Sequence, residues 1–272
     1  MTLLSRNIRP WPRRRPTMLT TSPRWAISEF PDIIVDTSDG VQELERERVA
    51  GLVGRMLERY GTPASARVRM RPAGPDDGPL LVQVNLQISG RPVRMQTLST
   101  DRHNVLAVAR RLRQQINQRP SRPRNLRTWP DPTREPLTHT TPAPVARRKD
   151  CDLSVLAPTA AVIVMDEMDY DVHLFTDADT GEDAIVYRAG PTGARLARQR
   201  RADPPATVAP DTAVMTVNPR ATLTLTETQA VQRLCEFGLP HLFYTDPDTG
   251  RGHLLYRRYD HDLTLITPTA PA

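Results

Sequence analysis

Aromatic residues, cysteine, lysine and long apolar runs are all scarce in this chain. Four Phe, three Trp and six Tyr among 272 residues leave few stacking platforms of the kind that read unpaired bases. The two cysteines, Cys151 and Cys235, make no disulfide framework and fit a reducing cytoplasm. No apolar run approaches the roughly 18–20 residues that a membrane-crossing helix needs. The arginine-rich start lacks the apolar centre of a secretory signal, and Pro10, Pro12 and Pro16 break any amphipathic helix there. Residues 1–30 therefore read as a disordered basic arm. There is no phosphate-cradling glycine loop, no G-x-S-x-G and no pair of helix-borne carboxylates on an apolar face. Nothing positions a nucleophile or a base, so no enzyme and no cofactor is expected. His103, His139, His173, His241, His253 and His261 are scattered without zinc-ligand spacing, and no metal is expected.

What is abundant is proline, 27 residues, and arginine; Lys149 is the single lysine. The charge is unevenly placed. Residues 1–149 carry 27 Arg/Lys against 13 Asp/Glu, a net +14, and residues 150–272 carry 10 against 18, a net −8. Halves this different suit different partners, a polyanion for the first and protein for the second.

The basic half reads as one folded domain over residues 31–119. A short apolar run at residues 33–35 precedes a helix whose stripe is Val41, Leu44, Val49, Leu52, Val53, Met56 and Tyr60, with Asp39 and Gln42 placed as a capping box. Val68 and Met70 then alternate with Arg67, Arg69 and Arg71. Leu80, Val82, Val84, Leu86 and Ile88 alternate with polar residues, Ser89-Gly90 marks a two-residue hairpin, and Val93, Met95 and Thr97 return opposite Arg94 and Gln96. Asp101 can cap a last helix with the stripe Val105, Val108, Ala109, Leu112 and Ile116. The order is β-α-β-β-β-α, an α+β fold with two helices on one face of a four-stranded sheet. Its basic positions, Arg67, Arg69, Arg71, Arg91 and Arg94 on the sheet and Arg110, Arg111, Arg113 and Arg119 on the last helix, suit recognition of folded RNA by phosphate and shape.

Residues 120–149 are a proline- and arginine-rich linker, expected to be flexible. It reaches roughly 90 Å if extended and about 30 Å as a coil.

The acidic half repeats itself. YDVHLFTDADTGEDAIVYR at residues 170–188 returns 69 residues later as LPHLFYTDPDTGRGHLLYR at residues 239–257. The same offset carries Leu156 to Leu225, Ala161 to Ala230 and Glu167 to Glu236. An ungapped register of this kind marks one small unit present twice, at residues 150–200 and 214–268. Each copy reads as strand, helix, strand, tight turn, strand, with Pro158 opening the first helix, a Thr226/Gln229 capping box opening the second and Gly238 ending it. The turn T-D-x-D-T-G places its glycine fifth and an arginine twelfth, so it reads as a hairpin rather than a calcium loop. Copies of about 50 residues are marginal alone. They are expected to pack on each other as an intramolecular pseudo-dimer, with Phe175, Val186 and Tyr187 meeting Phe243, Leu255 and Tyr256.

These features together resemble the long-type ribosome hibernation promoting factors. The first domain, ending in VARRLRQQI, resembles that family's N-terminal domain. The repeated segment, followed in the second copy by LTLITP, resembles its C-terminal domain. The doubled tail is similar to the dormancy- or hypoxia-associated factors of mycobacteria and their relatives. The resemblance implies a domain seated on 16S rRNA between head and body of the small subunit, in the mRNA channel, overlapping the A and P tRNA sites of the 70S ribosome. It places Arg59 and Arg111 at positions of basic rRNA contact. Long-type relatives carry one C-terminal domain, which homodimerises and pairs ribosomes; here two copies stand in tandem, so a monomer that leaves ribosomes single is expected. The alternative is a regulatory module in which the acidic repeats bind a protein and the basic half merely adds nonspecific RNA affinity.

Overall fold

The structure is a computed structural model that describes residues 30, 32–61, 65–73, 78–88, 90–100, 102, 105–117, 129–131, 137–190, 193–200, 203 and 215–269. In the basic half, β1 (Ile33–Thr37), β2 (Ala66–Pro72), β3 (Leu80–Ile88) and β4 (Arg91–Ser99) form one sheet in the order β1-β2-β3-β4. β1 runs parallel to β2 and the remaining pairs are antiparallel. The alternation along β2, β3 and β4 buries Val68, Met70, Leu80, Val82, Val84 and Met95 beneath two helices, α1 (Glu43–Arg59) and α2 (Leu106–Asn117). Those helices contribute Val49, Val53, Leu57, Val108 and Leu112 to the same core. Phe30 joins it by lying against Gly54 of α1, where an added Cβ would sit 2.3 Å from the ring.

The start of α1 lies later than the capping pattern implied. Gln42, not Asp39, is the N-cap, and its N–H donates to Glu45 Oε2 at 2.8 Å. Gly40, at φ +82°, turns the chain before the helix and moves the cap three residues on. Asp101, Ser89 and Arg119 lie outside the described residues. Ile88 pairs with Arg91, so the hairpin between them has the expected two-residue length.

The acidic half contains two sheets. The first holds β6 (Val155–Leu156), β7 (Val172–Asp177), β8 (Asp183–Ala189) and β9 (Gly193–Arg198), with α3 (Pro158–Glu167) on one face. The second holds β11 (His241–Thr245), β12 (Gly252–Arg257) and β13 (Leu263–Pro268), with α4 (Glu227–Glu236) on one face. Thr226 and Gln229 do cap α4 reciprocally, Pro158 is the first residue of α3, and Gly181 and Gly250 close the two hairpins at φ +72° and +65°.

Each sheet is completed by a strand from in front of the other copy. β5 (Val145–Cys151) precedes the first repeat yet pairs in parallel with β13 of the second. β10 (Met215–Val217) opens the second repeat yet pairs in parallel with β9 of the first. The 69-residue offset superimposes β10 on the middle of β5, so the exchange is reciprocal. Residues 145–149, which composition assigns to the linker, are therefore strand; the parallel ladder to β13 pairs the backbone groups along one edge of them.

The copies meet through the sheet faces opposite their helices. Leu174, Ile185 and Ala197 of the first copy share one buried cluster with Phe243 and Leu254 of the second, and Tyr187, Tyr256 and Val172 pack against it. This corrects half of the expected contact set. Phe175 and Val186 point the other way, into the core under α3, and Leu255 points into the core under α4. Adjacent strand residues face opposite sides, and these strands are apolar on both, so the pattern does not tell the helix face from the partner face.

Polar contacts pin the same junction. Asp183, 3% exposed, accepts from Arg251 Nε at 2.7 Å, Arg251 Nη2 at 3.0 Å and the Gly252 N–H at 2.8 Å. Gln199 Nε2 donates to Thr245 Oγ1 and to the Gly250 carbonyl, both at 3.0 Å. Gly252 has no space for a side chain, since a Cβ would lie 2.6 Å from the Phe243 ring and 2.8 Å from Asp183 Cβ.

Candidate nucleic-acid interface

The alternation that sends Val68 and Met70 inward leaves Arg67, Arg69 and Arg71 exposed on the outer face of the sheet. The strand register places Asn85 and Arg94 beside Arg67, and Gln83 and Gln96 beside Arg69. The result is a polar, cationic surface with no aromatic ring on its strands. Asp36 on β1 takes up part of the charge, 2.7 Å from Arg67 and 3.7 Å from Arg69. The Arg67 guanidinium holds the Asp36 carboxyl below its ordinary range, so this carboxylate stays ionised and tempers the strip.

A second basic surface lies on the helices. Arg59 in the last turn of α1, and Arg110 and Arg113 on α2, are exposed. Such side chains are free to take phosphate oxygens in charge-assisted bonds.

The other basic positions face the tail. Arg111 is buried, 5% exposed, and its guanidinium pairs with Asp169 just beyond α3 and lies 3.6 Å from Asp131. Arg94 donates to the Met168 carbonyl at 3.1 Å and lies 5.1 Å from the centre of the Tyr170 ring. Arg91 pairs with Glu167; burial raises the Glu167 carboxyl above its ordinary range while Arg91 pulls it back down. The backbone N–H of Gln96 donates to Asp169 Oδ2 at 2.8 Å, and Gln115 Nε2 donates to the carbonyls of Asp166 and Glu167, both at 2.9 Å. Of the expected RNA-facing set, the structure thus groups Arg67, Arg69 and Arg71 on one surface and Arg59, Arg110 and Arg113 on the helical surface, and it turns Arg91, Arg94 and Arg111 toward the first repeat.

Between the outer sheet face and the tail is a cleft of about 550 Å³. Arg69, Arg71 and Asn85 line it from one side, and Arg147, Lys149 and Tyr256 from the other. Arg147 and Lys149 were counted with the linker by composition. Only the alternation of β5 brings them to the cleft, and that strand is recognisable once its pairing with β13 is known.

The Asp-rich turns hold themselves together. Asp177 Oδ1 accepts from the Asp179 N–H at 2.9 Å, and Asp177 Oδ2 accepts from Arg198 Nε at 2.6 Å, with both side chains buried. Asp246 accepts from the Thr249 N–H and hydroxyl. Among the described residues no group of three or more His, Cys, Asp or Glu side chains is placed to hold a metal ion. No helix among them is long and apolar enough to cross a membrane.

Comparison with known proteins gives two findings. Residues 140–196 match the family model described as "Sigma 54 modulation/S30EA ribosomal protein C terminus". The match takes in β5 through most of β9, so the family's unit includes the strand that the first repeat lends to the second. The chain is also 48% identical, over 247 residues, to a protein named "Dormancy associated translation inhibitor" from Mycobacterium tuberculosis, in each of the strains CDC 1551 and H37Rv. That similarity covers 89% of this chain and 90% of the relative.

Proposed function

Because the chain belongs to the family of the mycobacterial dormancy associated translation inhibitors, long-type hibernation factors with a ribosomal-protein-like C-terminal domain, we propose that it silences translation by binding the small ribosomal subunit. The carrying observation is the pair of exposed arginine surfaces, Arg67, Arg69 and Arg71 on the sheet and Arg59, Arg110 and Arg113 on the helices. On this reading they grip 16S rRNA phosphates in the mRNA channel and overlap the A and P tRNA sites of the cytoplasmic 70S ribosome. Contacts to phosphate position a domain without reading sequence, which suits a plug held in a fixed rRNA cavity.

The tail supports a second part of the proposal. The apolar faces of the two copies cover each other within one chain, and each copy's leading strand already fills an edge of the other sheet. A covalent link raises the local concentration of one copy around the other into roughly the mM range. The protein then acts as a monomer and leaves ribosomes unpaired.

Cosedimentation with isolated small subunits over a salt series tests the plug. Binding is expected to weaken steeply as salt rises, and Arg67→Ala, Arg69→Ala and Arg71→Ala combined with Arg110→Ala and Arg113→Ala should flatten that slope. A variant that keeps the full slope and still inhibits translation would remove these residues from the account.

A further inference from the structure

The acidic end of the first repeat is built against the N-terminal domain as a ligand would be. Asp169 gives both carboxylate oxygens to Arg111 and accepts the Gln96 backbone N–H as well. The last carbonyls of α3, the negative pole of its dipole, receive Gln115 and Arg94. Glu167 meets Arg91, and Asp131 adds a third carboxylate beside the pair. Arg91, Arg94 and Arg111 are thus met by a compact group of oxygens, negative in sum, as a phosphate backbone would meet them.

Among the described residues the contact is mainly polar, with the Tyr170 ring beneath Arg94. The core of the N-terminal domain, the cores under α3 and α4 and the core between the copies are separate clusters among the described residues, and none of these clusters includes apolar residues from both the N-terminal domain and the tail. An interface without a shared apolar core gains little from burial and depends on charge, so a competing polyanion can open it. The residues that join the two bodies in sequence, 118–136, include five prolines at Pro120, Pro123, Pro130, Pro132 and Pro136 and almost nothing apolar. Arg69 and Arg71 line the cleft beside the contact.

We propose that the end of α3, with Asp169 at its tip, is an intramolecular competitor for RNA: docked, it occupies Arg91, Arg94 and Arg111 and holds the protein closed, and RNA phosphates displace it when the domain engages its target. The inference rests on the RNA-binding reading and adds its regulation. A closed form lowers the apparent affinity by the fraction of molecules that are open, which keeps a strongly basic domain from binding bystander RNA and reserves engagement for a site with many phosphates in the right places.

Two substitutions on opposite sides of the contact test this in the full chain. Asp169→Asn removes the charge while tolerating the left-handed backbone at this position (φ +51°), and Gln115→Ala removes the two bonds to the α3 carbonyls. Each is expected to tighten binding to isolated small subunits by about tenfold at fixed salt, and to raise the radius of gyration of the free protein in X-ray scattering. Far-UV circular dichroism should stay unchanged, which separates opening from unfolding; because Gln115 lies in the other domain, a fault in folding of the first repeat would not move both variants alike. If the wild type binds small subunits and both variants stay within about twofold of it, the competitor is refuted while the RNA reading stands. If neither wild type nor variants bind, the RNA reading itself falls and this inference goes with it.

Discussion

Asp183 offers a quantitative test of how the tail closes. Its side chain is 2% exposed and takes two bonds from Arg251 and one from the Gly252 N–H, all reaching across from the other copy. Asp183→Ala leaves the buried Gly252 N–H without an acceptor, at a cost of about 1–3 kcal/mol. Arg251 is 30% exposed and turns to water, so the loss of its bonds adds only about 1 kcal/mol. A total near 3 kcal/mol is expected. Arg251→Ala strips the counter-charge from a buried carboxylate that keeps its backbone donor, at about 2 kcal/mol. The double variant should cost less than the sum by about 1 kcal/mol or more, because both single changes remove the same contact. Urea denaturation of the tail followed by circular dichroism gives the totals. Amide exchange then shows whether β8 and β12 lose protection together, as one cooperative unit must. Additivity within about 0.3 kcal/mol, or loss of protection in one copy alone, would refute the idea that the copies share this junction.

Two further outcomes follow from packing and from titration. Gly54→Ala should displace Phe30 from α1 and destabilise the N-terminal domain by about 1–3 kcal/mol, seen as a lower Tm with binding to small subunits retained below it. Burial pushes His173 and His241 down to about 4, with Asp171 opposing slightly at His241. The unfolded chain takes up these protons near pH 6.5 and the folded chain only near pH 4, so stability falls as pH drops through that window. Each histidine contributes about 1.4 kcal/mol per pH unit there, or about 4 kcal/mol for both between pH 7 and pH 5. Urea midpoints measured across that range should show the slope, and His173→Leu with His241→Leu should remove most of it, leaving the smaller share of His253, whose imidazole burial also pushes down.

Much of the architecture was legible in the chain itself. Period-two runs such as Leu80, Val82, Val84 and Leu86, set against the helical stripe Val105, Val108, Leu112, define the first domain without ambiguity because each strand has one polar and one apolar face. The 69-residue register did the same for the tail. The exchange of strands was not legible. β10 is three residues long, and β5 reads VARRKDC, which looks like linker until the edge of β13 gives it a partner. Faces that are apolar on both sides, as in HLF and AIVY, hid which of Leu174 or Phe175 meets the other copy. Arg111 reads as part of the basic face of α2 and as an RNA contact, and Gln115 one turn on carries no signal at all; their partners at the end of α3 and just beyond it lie more than fifty residues away.

The most direct measurement is a sucrose-gradient profile of ribosomes mixed with the purified full-length protein at low salt. The account predicts that the protein travels with small subunits and with single 70S particles and that no heavier paired peak grows. A paired peak that rises with added protein, or protein left at the top of the gradient clear of every ribosomal fraction, would contradict it.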